Sequence, residues 1–264
     1  MKIFQNTTLT TTWSFDNMNT MVGVDEAGRG PVLGPLVVGI CAIPTDDVGL
    51  LVEQGVRDSK DLSSKKRAEI ERWFWNQATS AGWYGATVVI TPERIDEALQ
   101  GRGLNWLEVE AFQTAIGNLP KTESAEIITD ACDVDANRFT QRIATGLSDW
   151  PWHNSTLVSE HKADETYPVV AMASILAKEE RDRAMVQMSE SHGFNVGSGY
   201  PSDPTTKAAL HRLVLQNEID EQVRWEWATT KRFWKQNRRG DVPVRGRKSS
   251  VQQRLFHEDE SRIS

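Results

Sequence analysis

The stretch Val22-Gly23-Val24-Asp25-Glu26-Ala27-Gly28-Arg29-Gly30-Pro31 decides the reading of this 264-residue chain. A short apolar run ends in two adjacent carboxylates, and a basic residue between two glycines follows at once. Ionised carboxylates at a strand end lose their hydration unless a cation or hydrogen-bond donors replace the water. Oxygen ligands of this kind favour magnesium or manganese. The glycines let the backbone approach another group closely, and Arg29 offers a donor fork suited to phosphate. Metal together with phosphate points to phosphoryl transfer. Taken alone, the same residues also fit a turn closing a hairpin.

Outward from this stretch, the pattern alternates between strand and helix periods. Met21 begins the strand that ends at the carboxylates, and Leu33 to Ile43 is apolar enough for a second strand buried on both faces. Ser63 or Ser64 can cap a helix in which Ile70, Trp73, Phe74, Gln77 and Ala78 keep helical spacing, ending before Gly82. Trp83 to Ile90 reads as a strand. Thr91-Pro92 supplies a cap and a first-turn proline for a short helix that stops near Gly101. Leu104 to Ile116 is a further helix. Glu126 to Thr129 is a short strand leading into Asp130, and Asp135 can cap a helix through Ile143. Thr156 to Val158 fits the last strand. Pro168 opens an alanine-rich helix to about Met188, and Asp203-Pro204 caps another that reaches Leu215. The expected fold is therefore α/β, with a mixed sheet flanked by helices. Residues 1–20 form a polar, threonine-rich extension, 21–203 the main domain, and 204–240 a C-terminal helical region. Residues 241–264 have little periodicity and read as a disordered tail.

Composition narrows the class. The chain is 39% hydrophobic and 25% charged, has no run long enough to span a membrane, and lacks a secretory leader pattern. Two cysteines, Cys41 and Cys132, offer no disulfide framework and fit a reducing, cytoplasmic setting. Trp73 and Trp83, two of ten tryptophans, sit in periodic apolar patterns and read as core. A net charge of −7 opposes nucleic-acid binding, but distribution matters more than the sum. Lys231, Arg232, Lys235, Arg238, Arg239, Arg245, Arg247 and Lys248 cluster near the C-terminus and could contact phosphates.

Six ordered blocks accompany the opening stretch: Arg57-Asp-Ser-Lys60, Gly103-Leu-Asn105, Thr129-Asp130-Ala-Cys-Asp-Val-Asp135, His161-Lys-Ala-Asp164, Tyr167 to Lys178, and Gly197-Ser-Gly-Tyr200-Pro. With Asp25 to Pro31 and Gly34-Pro35, this series resembles type 2 ribonuclease H (ribonuclease HII) in its archaeal, single-chain form, from about Met21 to about Trp234. The resemblance implies a ribonuclease H-like fold with a C-terminal helical extension. It implies an endoribonuclease that cuts the RNA strand of RNA–DNA hybrids and nicks 5′ of single ribonucleotides in duplex DNA. Two divalent ions, Mg2+ or Mn2+, would serve it, and the chain would act as a monomer. Family members begin near Met21, which makes residues 1–20 dispensable on this reading. A sliding clamp is a further expected partner, although Gln252 to Phe256 lacks the paired aromatics of a clamp-binding motif.

By resemblance, Asp25, Glu26, Asp130 and Asp164 are the catalytic metal ligands. Asp133 and Asp135 rival Asp130 by proximity, and Glu165 rivals Asp164. Asp135 has a sufficient structural role as a cap, and Asp133 as a turn residue. The resemblance also makes Gly28, Arg29 and Gly30 the phosphate and ribose contacts, and Tyr200 the reader of the 2′-OH that separates RNA from DNA. Lys60 and Lys162 would be phosphate contacts or partners of the ligands. Cys132 reads as a small buried residue. Two rivals stay in view: a ribonuclease HIII-like nuclease needing a ribonucleotide run, against which Arg29 and Asp164 argue, and a non-catalytic hybrid-binding module. A binder would gain nothing from four clustered negative charges against phosphate.

Overall fold

A computed structural model describes residues 5–6, 15–120, 122–216, 219–238 and 240–245. Along the described chain the strands are β1 (Gln5–Asn6), β2 (Phe15–Ala27), β3 (Leu36–Pro44), β4 (Tyr84–Ile90), β5 (Thr122–Asp130) and β6 (Thr156–Glu160). The helices are α1 (Val48–Glu53), α2 (Ser64–Ala81), α3 (Pro92–Gln100), α4 (Leu104–Gly117), α5 (Ala136–Gly146), α6 (Ala163–Thr166), α7 (Pro168–His192), α8 (Pro204–Val214) and α9 (Ala228–Asn237). The strands form one mixed sheet in the order β1-β4-β3-β2-β5-β6. β2, β3, β4 and β1 pair antiparallel, whereas β2, β5 and β6 run parallel.

Each face of the sheet carries its own core. On one side Phe112 and Ile116 of α4 and Phe139 and Ile143 of α5 pack against Val22, Val24 and Ile127. On the other, α7 lies across the middle of the sheet with Val169 to Leu176 buried, and α2 covers it with Ile70 and Phe74. The approach of α7 depends on Gly23 and Gly39. A Cβ on either would sit 2.2 Å from the α7 backbone, so no side chain fits. A third cluster joins α8 and α9 to the end of α7 and to Val32 and Leu33, which follow the glycine loop.

Local signals account for most boundaries. Ser63, Thr91, Asp135 and Asp203 each cap the helix that follows, their side-chain oxygens accepting first-turn N–H groups. Several boundaries differ from the sequence reading, and three of the differences have a local cause. β3 begins at Leu36, because Gly34 turns with φ +78° and Pro35 offers no N–H, while Leu33 bridges to Val223 instead. β5 is longer than Glu126 to Thr129, since its polar first residues pair with β2 through the backbone ladder, and Ser124 Oγ donates to Asn19 Oδ1 at 2.6 Å. For the same reason β2 starts at Phe15 rather than Met21, and Gln5–Asn6 pairs with Val88 and Val89 of β4. Residues 5–6 and 15–20 of this stretch therefore contribute to the sheet. Of the proposed tail, residues 246–264 lie outside the described residues.

Candidate active site

Parallel pairing brings the carboxylates together. Val24 faces Thr129 across the β2–β5 ladder, so Asp25 and Asp130, the next residue on each strand, emerge side by side at the C-terminal ends of these two strands. Asp25, Glu26 and Asp130 present oxygens that all lie within 4.8 Å of one another. Asp25 is only 4% exposed, and its Oδ1 accepts the Glu26 N–H at 2.7 Å. Asp130 Oδ1 accepts the Ala163 N–H at 2.8 Å, which ties the end of β5 to α6. α6 carries Asp164, buried beside the trio, with Lys60 Nζ 3.5 Å from its Oδ2.

The electrostatics of the four are alike. Burial, then the charges of Glu26 and Asp130, push the Asp25 carboxyl well above the ordinary carboxylate range. Burial also raises Glu26, against a hydrogen bond from Cys132, whose thiol donates to Oε2 at 3.1 Å. Asp130 and Asp164 are raised by burial too, against the Ala163 N–H and Lys60 respectively. Buried carboxylates that repel one another to this degree fit a site for a hard divalent cation, which replaces lost water with charge.

The rival carboxylates are otherwise engaged. Asp133 pairs with Arg138 and Arg142, and these hold it down to about 2. Asp135 caps α5, accepting the Arg138 N–H at 3.0 Å. Glu165 pairs with Lys162 on the exposed surface.

Beside the carboxylates, the Gly28–Gly30 loop is held from beneath by two buried arginines. Arg224 donates to Gly28 O at 2.7 Å, Gly34 O at 3.0 Å and Arg29 O at 3.2 Å. Arg181 donates to Ser198 O at 2.7 Å and lies 5.2 Å from the Tyr200 ring centre. Gly28 has φ +96°, and a Cβ there would collide with Arg181 at 2.6 Å. Val32 N–H donates to Gly199 O at 2.8 Å, joining this loop to the Gly197–Tyr200 turn. Tyr200 consequently stands next to Gly30, with a ring carbon 3.6 Å from where a Cβ would begin. Arg29 reaches across to α4, where Nη2 donates to Asn105 Oδ1 at 2.8 Å and Nε lies 2.9 Å from Glu108 Oε1. Burial, then the nearby Glu26, pushes Glu108 up to about 8, while Arg29 pulls it back.

The structure thus gathers Asp25, Glu26, Asp130, Asp164, Gly28, Arg29, Gly30, Lys60 and Tyr200 into one region. Lys162, exposed on the surface, pairs with Glu165 Oε1 at 2.6 Å. Part of the basic C-terminal cluster is engaged within the fold. Lys231 pairs with Glu226, Arg245 with Asp96, and Arg238 caps the carbonyls of Leu215 and Gln216. Of that cluster Arg232 and Lys235 stay exposed, while Arg239, Arg247 and Lys248 lie outside the described residues. Sequence reasoning read Cys132 as a small buried residue without its hydrogen bond to Glu26, and it missed Glu108, Arg181 and Arg224. Two of them did leave a signal, a charge on an apolar helical stripe: Glu108 with Leu104 and Phe112, Arg181 with Ala177 and Met185.

An acidic, oxygen-only cluster at the ends of parallel strands, next to a phosphate-suited loop, defines a metal-dependent phosphoryl-transfer enzyme. The model of the ribonuclease HII family matches residues 22–230. A ribonuclease HII from Methanococcus maripaludis is 39% identical over 222 residues, covering 83% of this chain and 89% of that protein. The crystal structure of the ribonuclease H2 from Pyrococcus horikoshii is similar with a TM-score of 0.70 and 36% identity, covering 82% of this chain and 98% of that one. The PCNA:RNase HII complex from Archaeoglobus fulgidus contains a chain similar at TM-score 0.67 and 35% identity, covering 79% and 94%. The chain belongs to the ribonuclease HII family, whose members are divalent-metal-dependent ribonucleases, and it has the ribonuclease H-like fold.

Proposed function

We propose that this protein hydrolyses the RNA strand of RNA–DNA hybrids and nicks duplex DNA on the 5′ side of single embedded ribonucleotides. The observation that carries the reading is the convergence of Asp25, Glu26 and Asp130 within 4.8 Å of one another, beside a loop on which Gly30 meets Tyr200. Asp25, Glu26, Asp130 and Asp164 would hold two magnesium or manganese ions. Bound there, the ions supply an activated water and stabilise charge on the leaving oxygen, giving a 3′-OH and a 5′-phosphate. The Gly28–Gly30 backbone and Arg29 bind the phosphate, and Lys60 screens the ligand cluster. The Tyr200 ring packs on the ribose while its hydroxyl meets the 2′-OH, the group absent from DNA.

The test is incubation with a duplex carrying one ribonucleotide, with magnesium or manganese, and mapping of the nick. A single cut 5′ of the ribonucleotide is expected. Cutting only within runs of ribonucleotides would replace this reading with the ribonuclease HIII-like one, and no cutting would leave the binding module. The protein is read as a cytoplasmic monomer, with two buried free cysteines in support of a reducing setting. Among the described residues no helix is long and apolar enough to cross a membrane. The likeness to a PCNA-bound relative supports clamp contact, and Gln252 to Phe256 lies outside the described residues.

A further inference from the structure

Arg29 has two partners that are remote in sequence and adjacent in space. A guanidinium presents its donors along three edges, and the edge formed by Nε and Nη2 is the one that meets α4. Glu108 Oε1 lies 2.9 Å from Nε, and Asn105 Oδ1 accepts from Nη2 at 2.8 Å. Two anchors on one edge of a planar group fix both its position and its plane. Left over are both Nη1 hydrogens and the outer Nη2 hydrogen, which form the end-on fork. The Arg29 side chain is 41% exposed, whereas that of Glu108 is 0% exposed. The anchored edge is therefore inside, and the fork has access to solvent. Burying a carboxylate with one ion-pair partner is costly, and neither oxygen of Glu108 has a hydrogen-bond partner to offset it. An apolar residue at that place on the α4 stripe would serve packing better. The cost needs a return, and the aiming of Arg29 supplies it.

We propose that Glu108 and Asn105 are positioning residues that aim the Arg29 guanidinium so that its end-on fork meets a phosphate of the nucleic-acid strand at the cleavage site. This rests on the nuclease reading above. A lysine, or an unanchored arginine, would still attract the backbone but would lose the bidentate geometry.

The test is a double-mutant cycle in steady-state nicking of the single-ribonucleotide duplex with magnesium, read as KM and kcat separately. Glu108→Ala should raise KM roughly tenfold with kcat little changed, because a ground-state phosphate contact is lost. Glu108→Gln should fall between wild type and Glu108→Ala, since it keeps an oxygen beside Nε but loses the charge of the ion pair. In an Arg29→Ala background, Glu108→Ala should add nothing. Asn105→Ala, at a less buried position, should raise KM less and be equally silent without Arg29, which keeps the cycle informative if Glu108→Ala folds poorly. Equal KM effects in both backgrounds would overturn the proposal. So would a fall in kcat with a shifted magnesium midpoint, which would mean that Glu108 acts through Glu26. Wild-type protein that fails to nick at all would instead sink the nuclease reading on which the proposal stands.

Discussion

Two aspartates three residues apart, Asp130 and Asp133, have opposite surroundings. Asp130 faces Asp25 and Glu26 with one backbone N–H in support, whereas Asp133 is clamped by Arg138 and Arg142. Asp130→Asn should nearly abolish turnover while melting temperature and hybrid binding persist, because it removes a ligand charge and relieves repulsion at the same time. Asp133→Asn should do the reverse, lowering the melting temperature and leaving cleavage measurable, since two arginines lose their partner. A dead Asp133→Asn beside an active Asp130→Asn would exchange the two assignments. Tyr200 tests sugar recognition. Tyr200→Ala should bind metal normally and cut the single-ribonucleotide duplex far more slowly. Tyr200→Phe should be intermediate, losing one hydrogen bond worth roughly 0.5–1.5 kcal/mol. A wild-type nicking rate in Tyr200→Ala would reduce Tyr200 to a turn residue.

At the scale of elements, β2 does two things at once. Its far end delivers Asp25 and Glu26, and its first residues hold the start of β5, with Asn19 opposite Ser124 and Thr20 opposite Ala125. Thr45 Oγ1 also donates to Asn19 O at 3.2 Å. Deletion of residues 1–20 should therefore lower the melting temperature relative to deletion of residues 1–14, while metal-dependent nicking survives in both. Equal melting temperatures for the two truncations would make the polar lead of β2 ornamental. The site end of β2 is fastened separately, by Arg181 and Arg224 beneath the Gly28–Gly30 loop. That separation is why loss of the lead is expected to reach stability before activity.

Across the whole molecule, metal site and stability are linked through protons. A carboxyl whose pKa is higher folded than unfolded stabilises the fold at low pH, and that contribution is lost as pH rises through the folded value. Asp25, Glu26, Asp130, Asp164 and Glu108 are all raised in this sense, and for Glu108 the window runs from 4.5 to about 8. Asp133 works in the opposite direction. It is lowered, so its contribution is present near neutrality and lost only as pH falls through about 2. Chelator-treated protein should therefore become less stable as pH rises across the neutral range. Manganese should raise its melting temperature, and by more at mildly alkaline than at mildly acid pH, because protons compete with the ion for the same oxygens. Thermal unfolding with and without manganese over that range checks this. An increment independent of pH would show that the ion binds elsewhere.

The sequence by itself determined most of the elements and the family, though not β1, α1 or α6. Helix caps, first-turn prolines and alternating apolar runs are local signals, and Ser63, Thr91, Asp135 and Asp203 act where the chain places them. The motif blocks likewise named the four acidic residues, the glycine loop, Lys60 and Tyr200, because motif chemistry is written in short stretches, but not Glu108, Arg181 or Arg224. Only the tertiary structure decided how those residues are held. Arg29 meets Glu108 although β3, α1, α2, β4 and α3 lie between them in the chain, and Arg224 reaches Gly28 from beyond α8. Pairing of that kind follows from which strands lie side by side and in which direction. Parallel β2 and β5 place Asp25 beside Asp130, and no periodicity within either strand records its neighbour. The same holds for the choice between Asp130 and Asp133. Both are acidic and adjacent in the chain, and the arginines that consume one of them come from a helix face visible only once α5 has packed.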